Sequence, residues 1–297
     1  WYFLFIVSLI QGALFSFQLP ARYSFIPKIV PEESVSNGIA LLSSGMALVT
    51  VFSGSAVGYL YGKYGPDNVF LIISVIQIVT FFLALFLPKT EINDSVSGSY
   101  FAEMKKSFHY LMGNKIVLAI LISSLVVSMI AMPVRLQLPI IARRLYMISP
   151  QEIGILLTMA GVGAVMGTLL ISTLKKGVLR FSIFIISAFG LGLCTLIFGL
   201  APQYAIGLVV VIFFGAFEQI RMALSNVLTM EYTDSKYRAR MMGFFMLNFA
   251  SIPLGALPIG YGIDKIGAVN TLIFDGIVLI VILSILLLIS SSFRKIK

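Results

Sequence analysis

Apolar residues along this chain are grouped in long uncharged runs rather than in short alternating patterns. A bilayer core needs roughly 20 mostly apolar residues per spanning helix, and nine segments of the chain meet that requirement. They lie near residues 1–25, 36–62, 68–88, 116–140, 151–174, 181–200, 204–229, 241–263 and 268–292. The pattern therefore predicts an all-α membrane protein, in which these nine segments are transmembrane helices.

Composition supports a polytopic membrane protein and disfavours other classes. Hydrophobic residues make up 59% of the chain and charged residues only 11%, whereas soluble domains carry about 25% charged residues. The single cysteine, Cys194, lies inside an apolar run, and we assign it to packing. No group of histidine, cysteine and carboxylate residues has metal-ligand spacing. We therefore expect no metal, no cofactor and no enzymatic activity.

The basic residues follow the predicted topology. Of the 21 lysines and arginines, fifteen fall on one side of the alternating segments, five on the other, and Arg221 lies within a predicted helix. Arg135 is grouped with the poorer side. The positive-inside rule assigns the richer side, including the tail 292–297, to the cytoplasm. The distribution of the net charge of +9 thus favours a cytoplasmic C-terminus and a lipid partner rather than nucleic acid.

Nine spans and a cytoplasmic C-terminus place the N-terminus outside. The chain starts at Trp1, without methionine and already within an apolar run. We therefore expect a fragment that lacks an odd number of upstream helices, and we expect such a fragment not to transport by itself.

Internal repetition indicates a duplicated membrane unit. The segment GYLYGKYGPDNVFLI (58–72) matches GYGIDKIGAVNTLIF (260–274) at a separation of 202 residues. The shared positions include the pairs Gly65 and Gly267, and Lys63 and Lys265. Parallel repeats of this length are typical of secondary transporters. The second copy contains six predicted spans, whereas the first shows three.

Two segments carry a resemblance to a known family. The stretch QGALFSFQLPARYSFIPKIVPEESVSNGIALLSSG (11–45) resembles the fourth-to-fifth helix region of the major facilitator superfamily, and DSKYRARMMGF (234–244) resembles its tenth-to-eleventh helix connection. The exporter branch with macrolide-efflux and enterobactin-exporter-like proteins is the most similar. The specific matches are Pro20-Ala21-Arg22, Ile26-Pro27 and Val30-Pro31-Glu32.

The resemblance implies that the chain corresponds to helices four to twelve of a twelve-helix transporter. Residues 1–88 would be the remainder of the N-terminal bundle, 89–115 a cytoplasmic linker and 116–297 the C-terminal six-helix bundle. The implied function is alternating-access export of a small amphipathic or hydrophobic molecule, such as a macrolide, another drug or a siderophore, by a monomer. Uptake, lipid transport or a non-transport membrane subunit remain alternatives.

The coupling ion is less well defined by the resemblance. Ser8 stands where the superfamily often has an arginine before Gln11-Gly12, and Gly54-Ser55 replaces the usual Gly-Pro of the fifth helix. Proton coupling is therefore a prediction that these two motifs do not support.

Two charged residues interrupt the seventh predicted span, where a charge costs roughly 2.5–3.5 kcal/mol at the bilayer centre. Glu218 lies near its middle, and Arg221 follows at i+3 on the same helix face. In one interpretation Glu218 is a proton site or a cationic-substrate site tuned by Arg221. In the other, the two residues form a structural ion pair. The sequence leaves both open.

Further polar side chains lie within other spans. Each can line a cavity or simply form an interhelical hydrogen bond. Asp275, a few turns into the last span, is interpreted as interfacial. The predicted substrate and proton pathway comprises Glu218, Arg221, Asn226, Asn248 and Gln11.

Charged residues also occur at repeat-related positions on the predicted cytoplasmic side. They can form a gate of charge pairs that breaks when the bundles rock, or Arg22 can merely snorkel at a helix end. The predicted gate comprises Arg22, Glu32, Asp234, Arg238 and Arg240.

Glycines spaced four residues apart allow close helix contact in lipid. Such a series occurs at Gly54, Gly58 and Gly62, and again at Gly163 and Gly167. They predict either fixed packing or a seam along which helices slide.

Overall fold

The fold is taken from a computed structural model of the chain. It describes residues 35–87, 100–173, 178–201 and 203–289, together with isolated positions between 3 and 31. The chain divides into two compact units: one comprises Trp1–Val49 and Phe70–Val96, and the other comprises Thr50–Val69 and Ser97–Lys297. The second unit contains all of the contacts discussed below.

The described part of the chain is almost entirely helical. In order it contains α1 (Val35–Leu85), α2 (Tyr100–Gly113), α3 (Lys115–Tyr146), α4 (Pro150–Ser172), α5 (Val178–Leu200), α6 (Tyr204–Glu231), a short 3₁₀ turn (Ser235–Tyr237), α7 (Arg238–Phe245), α8 (Leu247–Lys265) and α9 (Ala268–Ile289).

Within the described residues, seven segments are long and apolar enough to cross a bilayer. The nine predicted spans are compatible with this number. The first predicted span lies largely outside the described residues, and the second and third both fall within α1. The predicted fold class, an all-α membrane bundle, is confirmed.

Local sequence accounts for the helix boundaries. Ser149 begins α4 with a capping box, because its side chain accepts from the Glu152 N–H while the Glu152 carboxylate accepts from the Ser149 N–H, and Pro150 occupies the first turn. Asn114 caps α3 by accepting from the Val117 N–H at 3.2 Å. In α1, only Gly65 leaves the helical conformation, with φ 78° and ψ 169°.

The two repeat segments share local geometry as well as sequence. Gly65 and Gly267 both have positive φ, 78° and 84°, a conformation that side-chain-bearing residues avoid. The Lys63 ammonium lies 5.6 Å from the centre of the Tyr59 ring, and the Lys265 ammonium lies 5.8 Å from that of Tyr261. The structure thus repeats both the turn and the cation–π pair that precedes it.

The side-chain amide after each turn also repeats. Asn68 Nδ2 donates to the Tyr64 carbonyl at 2.7 Å, and Asn270 Nδ2 donates to the Ile266 carbonyl at 2.9 Å. Both bonds join residues four apart, on either side of the positive-φ glycine.

Small residues set the spacing between the membrane helices. A Cβ on Gly163 would overlap the Ile212 carbonyl of α6, and one on Gly167 would meet Ala216. On another side of α4, Gly54 and Gly58 of α1 lie against Gly154. The main chain of α4 therefore packs against the main chains of α6 and α1 without intervening side chains.

The helix α3 is held against α8 by close packing and hydrogen bonds. Gly255 of α8 lies against the Met129 carbonyl, and Gln137 Nε2 donates to the Ala256 carbonyl at 2.8 Å. Arg144 of α3 pairs with Asp264 at 2.6 Å beyond them. This packing holds the polar residues of α3 next to α6 and α8.

Candidate transport site

An ion pair joins two membrane helices of the second unit. Arg135 Nη1 of α3 donates to Glu218 Oε2 of α6 at 2.6 Å. The two side chains are 21% and 17% exposed, and Glu218 lies close to the midpoint of α6. Charge-assisted hydrogen bonds of this length are strong where water is scarce. The pair thus links α3 to α6 at the centre of a predicted span.

This pairing was not part of either sequence-based interpretation of Glu218. They coupled Glu218 to Arg221, whereas the carboxylate pairs with Arg135, which had been grouped with the outer segments. Arg135 lies within the predicted span 116–140 and inside α3, which continues to Tyr146, so it belongs to the helix and not to the segment that follows it. Residues three apart on one helix can contact each other, but the side chain that binds the Glu218 carboxylate is Arg135 of the facing helix α3.

Arg221 has a separate, neutral partner. Its side chain is only 2% exposed, and Nη1 donates to Ser124 Oγ of α3 at 2.9 Å. Asn248 Nδ2 of α8 donates to the same oxygen at 3.2 Å. Ser124 therefore joins α3, α6 and α8, and the structure brings together the predicted residues Arg221 and Asn248.

A small cavity lies beside this junction. It encloses about 10 Å³, close to the space of a single water molecule. Its walls are formed by Ser128, Met132, Arg221, Met222, Phe245, Asn248, Phe249 and Ile252. The larger groove in this unit, of about 850 Å³, lies along α1, α3 and α4 and includes Arg143. Of the predicted pathway residues, Arg221 and Asn248 line the smaller cavity, and none of the five is among the described residues that line the larger groove.

Proline residues leave main-chain carbonyls around the site without their usual helical partners. Proline has no N–H, so the carbonyl four residues earlier lacks its donor. Pro139 has this effect on the Arg135 carbonyl, and Pro253 has it on the Phe249 carbonyl. Met246 separates α7 from α8 in the same region. Such interruptions are common at the binding sites of transporters.

A polar row runs along α6 from the site toward Glu231. Arg221, Ser225 and Thr229 are spaced four residues apart and are buried at 2%, 0% and 0% exposure. Each has a side-chain atom without a hydrogen-bond partner among the described residues: Nε, Oγ and Oγ1, respectively. The row extends about 12 Å at 1.5 Å per residue. Buried polar atoms of this kind usually have partners, so the row is unusual.

The remaining pathway residues lie apart from this cluster. Asn226 is half-buried on α6 and is not part of the cavity wall. Gln11 is an exposed helical position of the other unit. Asp275, interpreted from sequence as interfacial, is 9% exposed on α9, and its Oδ2 lacks a partner among the described residues.

The predicted gate is only partly described. Arg22 and Glu32 lie outside the described residues. Arg238 Nε donates to the Met230 and Thr233 carbonyls at 3.1 and 3.2 Å, so it organises the end of α6. Asp234 and Arg240 belong to the same connection between α6 and α8.

That connection is attached to α2. The Tyr110 ring of α2 stacks on Tyr237, with centres 4.1 Å apart and planes at 14°. The Asp234 N–H donates to the Tyr110 hydroxyl at 3.0 Å, and Asn114 Nδ2 donates to the Tyr232 carbonyl at 2.9 Å. Nothing in the hydrophobic pattern indicated this aromatic contact.

A multi-helix membrane bundle with an ion pair near the middle of its spans is an arrangement found in membrane transport proteins. A model of the family described as "Transmembrane secretion effector" matches residues 1–297. The chain belongs to this family of the major facilitator superfamily, which is a family of transporters rather than a class of enzymes. The predicted resemblance is confirmed.

Named relatives are similar at low identity. The staphyloferrin A transporter of Staphylococcus aureus is 21% identical over 294 residues, covering 98% of this chain and 72% of the relative. Enterobactin exporter EntS of Salmonella choleraesuis is 23% identical over 299 residues, covering 99% and 71%. Macrolide efflux protein A of Streptococcus pyogenes is 21% identical over 283 residues, covering 93% and 70%.

A solved structure shows the same fold. A POT family transporter in complex with 5-aminolevulinic acid aligns with a TM-score of 0.57 and 14% identity. The alignment covers 92% of this chain and 73% of that one.

Proposed function

We propose that this chain is part of an exporter in the bacterial plasma membrane, which moves small amphipathic or hydrophobic compounds out of the cell. The support is the family and its relatives, which include an enterobactin exporter and a macrolide efflux protein. A siderophore, a macrolide or another drug is therefore the substrate class to test first.

The Arg135–Glu218 ion pair carries the proposal, because it places a breakable charge pair between two helices near the middle of the membrane. Intramembrane ionisable pairs of this kind mark substrate and proton pathways. While Glu218 is ionised, the pair holds α3 to α6. When Glu218 takes up a proton, the attraction is lost and Arg135 is free to move.

We propose that this pair also couples export to protons. A proton entering Glu218 from one side of the membrane would release Arg135, and reformation of the pair would expel the proton on the other side. Alternating access would convert the cycle into export. The residues that line the pathway in this proposal are Glu218, Arg221, Asn226, Asn248 and Gln11.

The arrangement of the whole chain is part of the proposal. Residues 1–88 form the remainder of an N-terminal bundle, 89–115 a cytoplasmic linker and 116–297 the C-terminal bundle, with the C-terminus in the cytoplasm. The charged residues Arg22, Glu32, Asp234, Arg238 and Arg240 form the cytoplasmic gate of this arrangement.

The test is compound accumulation in cells that carry the intact gene, compared with a deletion strain and a Glu218→Gln strain. A macrolide, a lipophilic dye and a siderophore are assayed with and without a protonophore. We expect lower accumulation in the intact strain, lost in Glu218→Gln cells and after collapse of the proton gradient. Asp264→Asn, in an exposed ion pair, is the matched control and should leave accumulation unchanged.

Other outcomes separate the parts of the proposal. Gene-dependent export that survives the protonophore would rule out proton coupling. Accumulation that is identical in the intact and deletion strains for every compound would rule out export.

A further inference from the structure

We propose that the buried donor cluster around Arg221 is an anion-binding subsite, which takes a carboxylate group of the transported compound. This inference rests on the proposed transport function and names a chemical class for the substrate. It assigns Arg221 to substrate binding rather than to neutralising Glu218.

The first observation is the balance of charge. In the middle sections of α3, α6 and α8, the charged residues are Arg135, Glu218 and Arg221. Glu218 is hydrogen-bonded to Arg135 at 2.6 Å and attracts Arg221 at longer range, so one carboxylate serves two guanidiniums and one positive charge is in excess. Buried positive charge in excess of its counterions is unfavourable. A ligand with one negative charge removes that imbalance, whereas a cationic ligand increases it.

The second observation is the surplus of hydrogen-bond donors. A guanidinium has five N–H donors and no acceptor, and at Arg221 one nitrogen, Nη1, bonds to Ser124 Oγ. The Nε of Arg221 has no partner within the described part of the chain, although the side chain is 2% exposed. A carboxylate offers two acceptor oxygens in the spacing that matches a guanidinium.

Neutral groups add further donors. Ser124 Oγ accepts from both Arg221 and Asn248, which leaves its own O–H proton to donate. Ser225, one turn along α6, has an unpartnered and fully buried Oγ. Donors therefore converge from three helices, and Ser124 Oγ already accepts two hydrogen bonds.

The adjacent cavity gives the position of the ligand. Arg221, Asn248 and Ser128 contribute to its wall, and its volume of about 10 Å³ is too small for a carboxylate in the described conformation. Two of its wall residues, Phe245 and Phe249, flank the break between α7 and α8 at Met246. Displacement of α7 or of the start of α8 during alternating access would enlarge this cavity.

The experiment measures binding of two matched aromatic ions to the purified chain in lipid nanodiscs. Tritiated 2-naphthoate is compared with 2-naphthylmethylammonium, which has the same ring system and the opposite charge. We expect the protein to bind naphthoate and to prefer it to the ammonium ion. Hydrogen bonds to charged groups contribute about 1.5–3 kcal/mol, so Arg221→Gln should weaken naphthoate binding about tenfold or more.

Two further variants test whether the effect belongs to the site. Arg221→Lys keeps the charge and should retain more binding than Arg221→Gln. Arg144→Gln, which removes an exposed arginine of α3, should bind naphthoate as the unchanged protein does. If Arg221→Gln does not fold, Asn248→Leu tests the same subsite by removing a neutral donor, and it too should weaken naphthoate binding.

Several results would overturn the subsite. They are equal binding of the two ions, absence of naphthoate binding, or unchanged binding in Arg221→Gln. Unchanged naphthoate binding in Arg221→Gln with lost binding in Glu218→Gln would assign the ligand to the ion pair instead. The accumulation assay is run in parallel: gene-dependent export without naphthoate binding refutes the subsite alone, and naphthoate binding without export refutes the exporter.

Discussion

At the scale of single residues, the Arg135–Glu218 pair should behave as a partly buried ion pair. Replacing either partner leaves the other charge without its counterion, so Arg135→Gln and Glu218→Gln should each lower the free energy of unfolding. We expect about 2 kcal/mol, less than for fully buried pairs, because both side chains retain some exposure. The double variant should recover at least half of the loss. Denaturant unfolding of the purified protein measures all three values.

The exposed pair Arg144–Asp264 is the control for this prediction. It has the same 2.6 Å separation, but its side chains are 48% and 66% exposed. Solvent screening should limit its contribution to under about 1 kcal/mol, so Arg144→Gln should have a small effect. Equal losses at the two pairs would show that the bundle does not shield Arg135 and Glu218 from water.

Sequence reasoning identified one partner of this pair and missed the other. Glu218 stood out because it interrupts an apolar run, where a charge is unfavourable. Arg135 follows the uncharged run 116–134 and was counted with the poorer side in the charge balance, although the predicted span continues to residue 140. In the structure it lies inside α3, between Pro133 and Pro139. Only the packing of α3 against α6 shows which charges meet.

At the scale of helix pairs, the contact of α4 with α6 should depend on the absence of a side chain at Gly163. A methyl group there would overlap the Ile212 carbonyl, so the helices must separate. Gly163→Ala should lower the free energy of unfolding by about 1–3 kcal/mol, as overpacking does elsewhere. Urea unfolding of the purified variant provides the measurement.

Gly243→Ala is the matched change in open space. No atom lies within 4 Å of a Cβ built on Gly243 in α7, and alanine favours helix by about 0.5–1 kcal/mol over glycine. This variant should be neutral or slightly more stable. A loss as large as that of Gly163→Ala would mean that glycine flexibility, and not close packing, is what both positions supply.

The attachment of α2 to the connection between α6 and α8 gives a prediction about local opening. The Tyr110 ring stacks on Tyr237, and its hydroxyl accepts from the Asp234 N–H. Tyr110→Leu removes both contacts, each of about 0.5–1.5 kcal/mol. Amide hydrogen exchange in residues 232–238 should then accelerate by roughly fivefold or more.

Tyr110→Phe separates the two contributions, because it keeps the ring and removes the hydroxyl. Exchange at the Asp234 amide should accelerate in this variant, while that of the rest of the connection changes little. Unaltered exchange in both variants would show that α2 does not hold the connection in place.

At the scale of the whole molecule, the sequence was most informative about class and least informative about pairing. Span lengths predicted the all-helical membrane fold, and the repeat that pairs Gly65 with Gly267 is matched by a positive φ at both positions. These features depend on local composition. The Arg135–Glu218 and Tyr110–Tyr237 contacts join helices far apart in the chain, and a single sequence contains no periodicity that reports such contacts.

The orientation in the membrane gives a final prediction. Cys194 is buried, so it gives little background for cysteine labelling, and Cys194→Ala removes it entirely. Lys236 and Lys265 are both exposed and lie at opposite ends of the membrane segment Arg240–Lys265. In intact cells, a membrane-impermeant maleimide should label Lys265→Cys but not Lys236→Cys. After permeabilisation both should react.

This outcome follows from the distribution of the basic residues. The segment containing Lys236 also holds Arg238 and Arg240, whereas the turn after Lys265 contains no further lysine or arginine before the next helix. Positive charge is retained on the cytoplasmic side during insertion. Because one membrane crossing separates the two sites, labelling of Lys236→Cys alone would place the C-terminus outside and invert the direction of the proposed export. Labelling of both sites in intact cells would contradict the assignment of Arg240–Lys265 as a span.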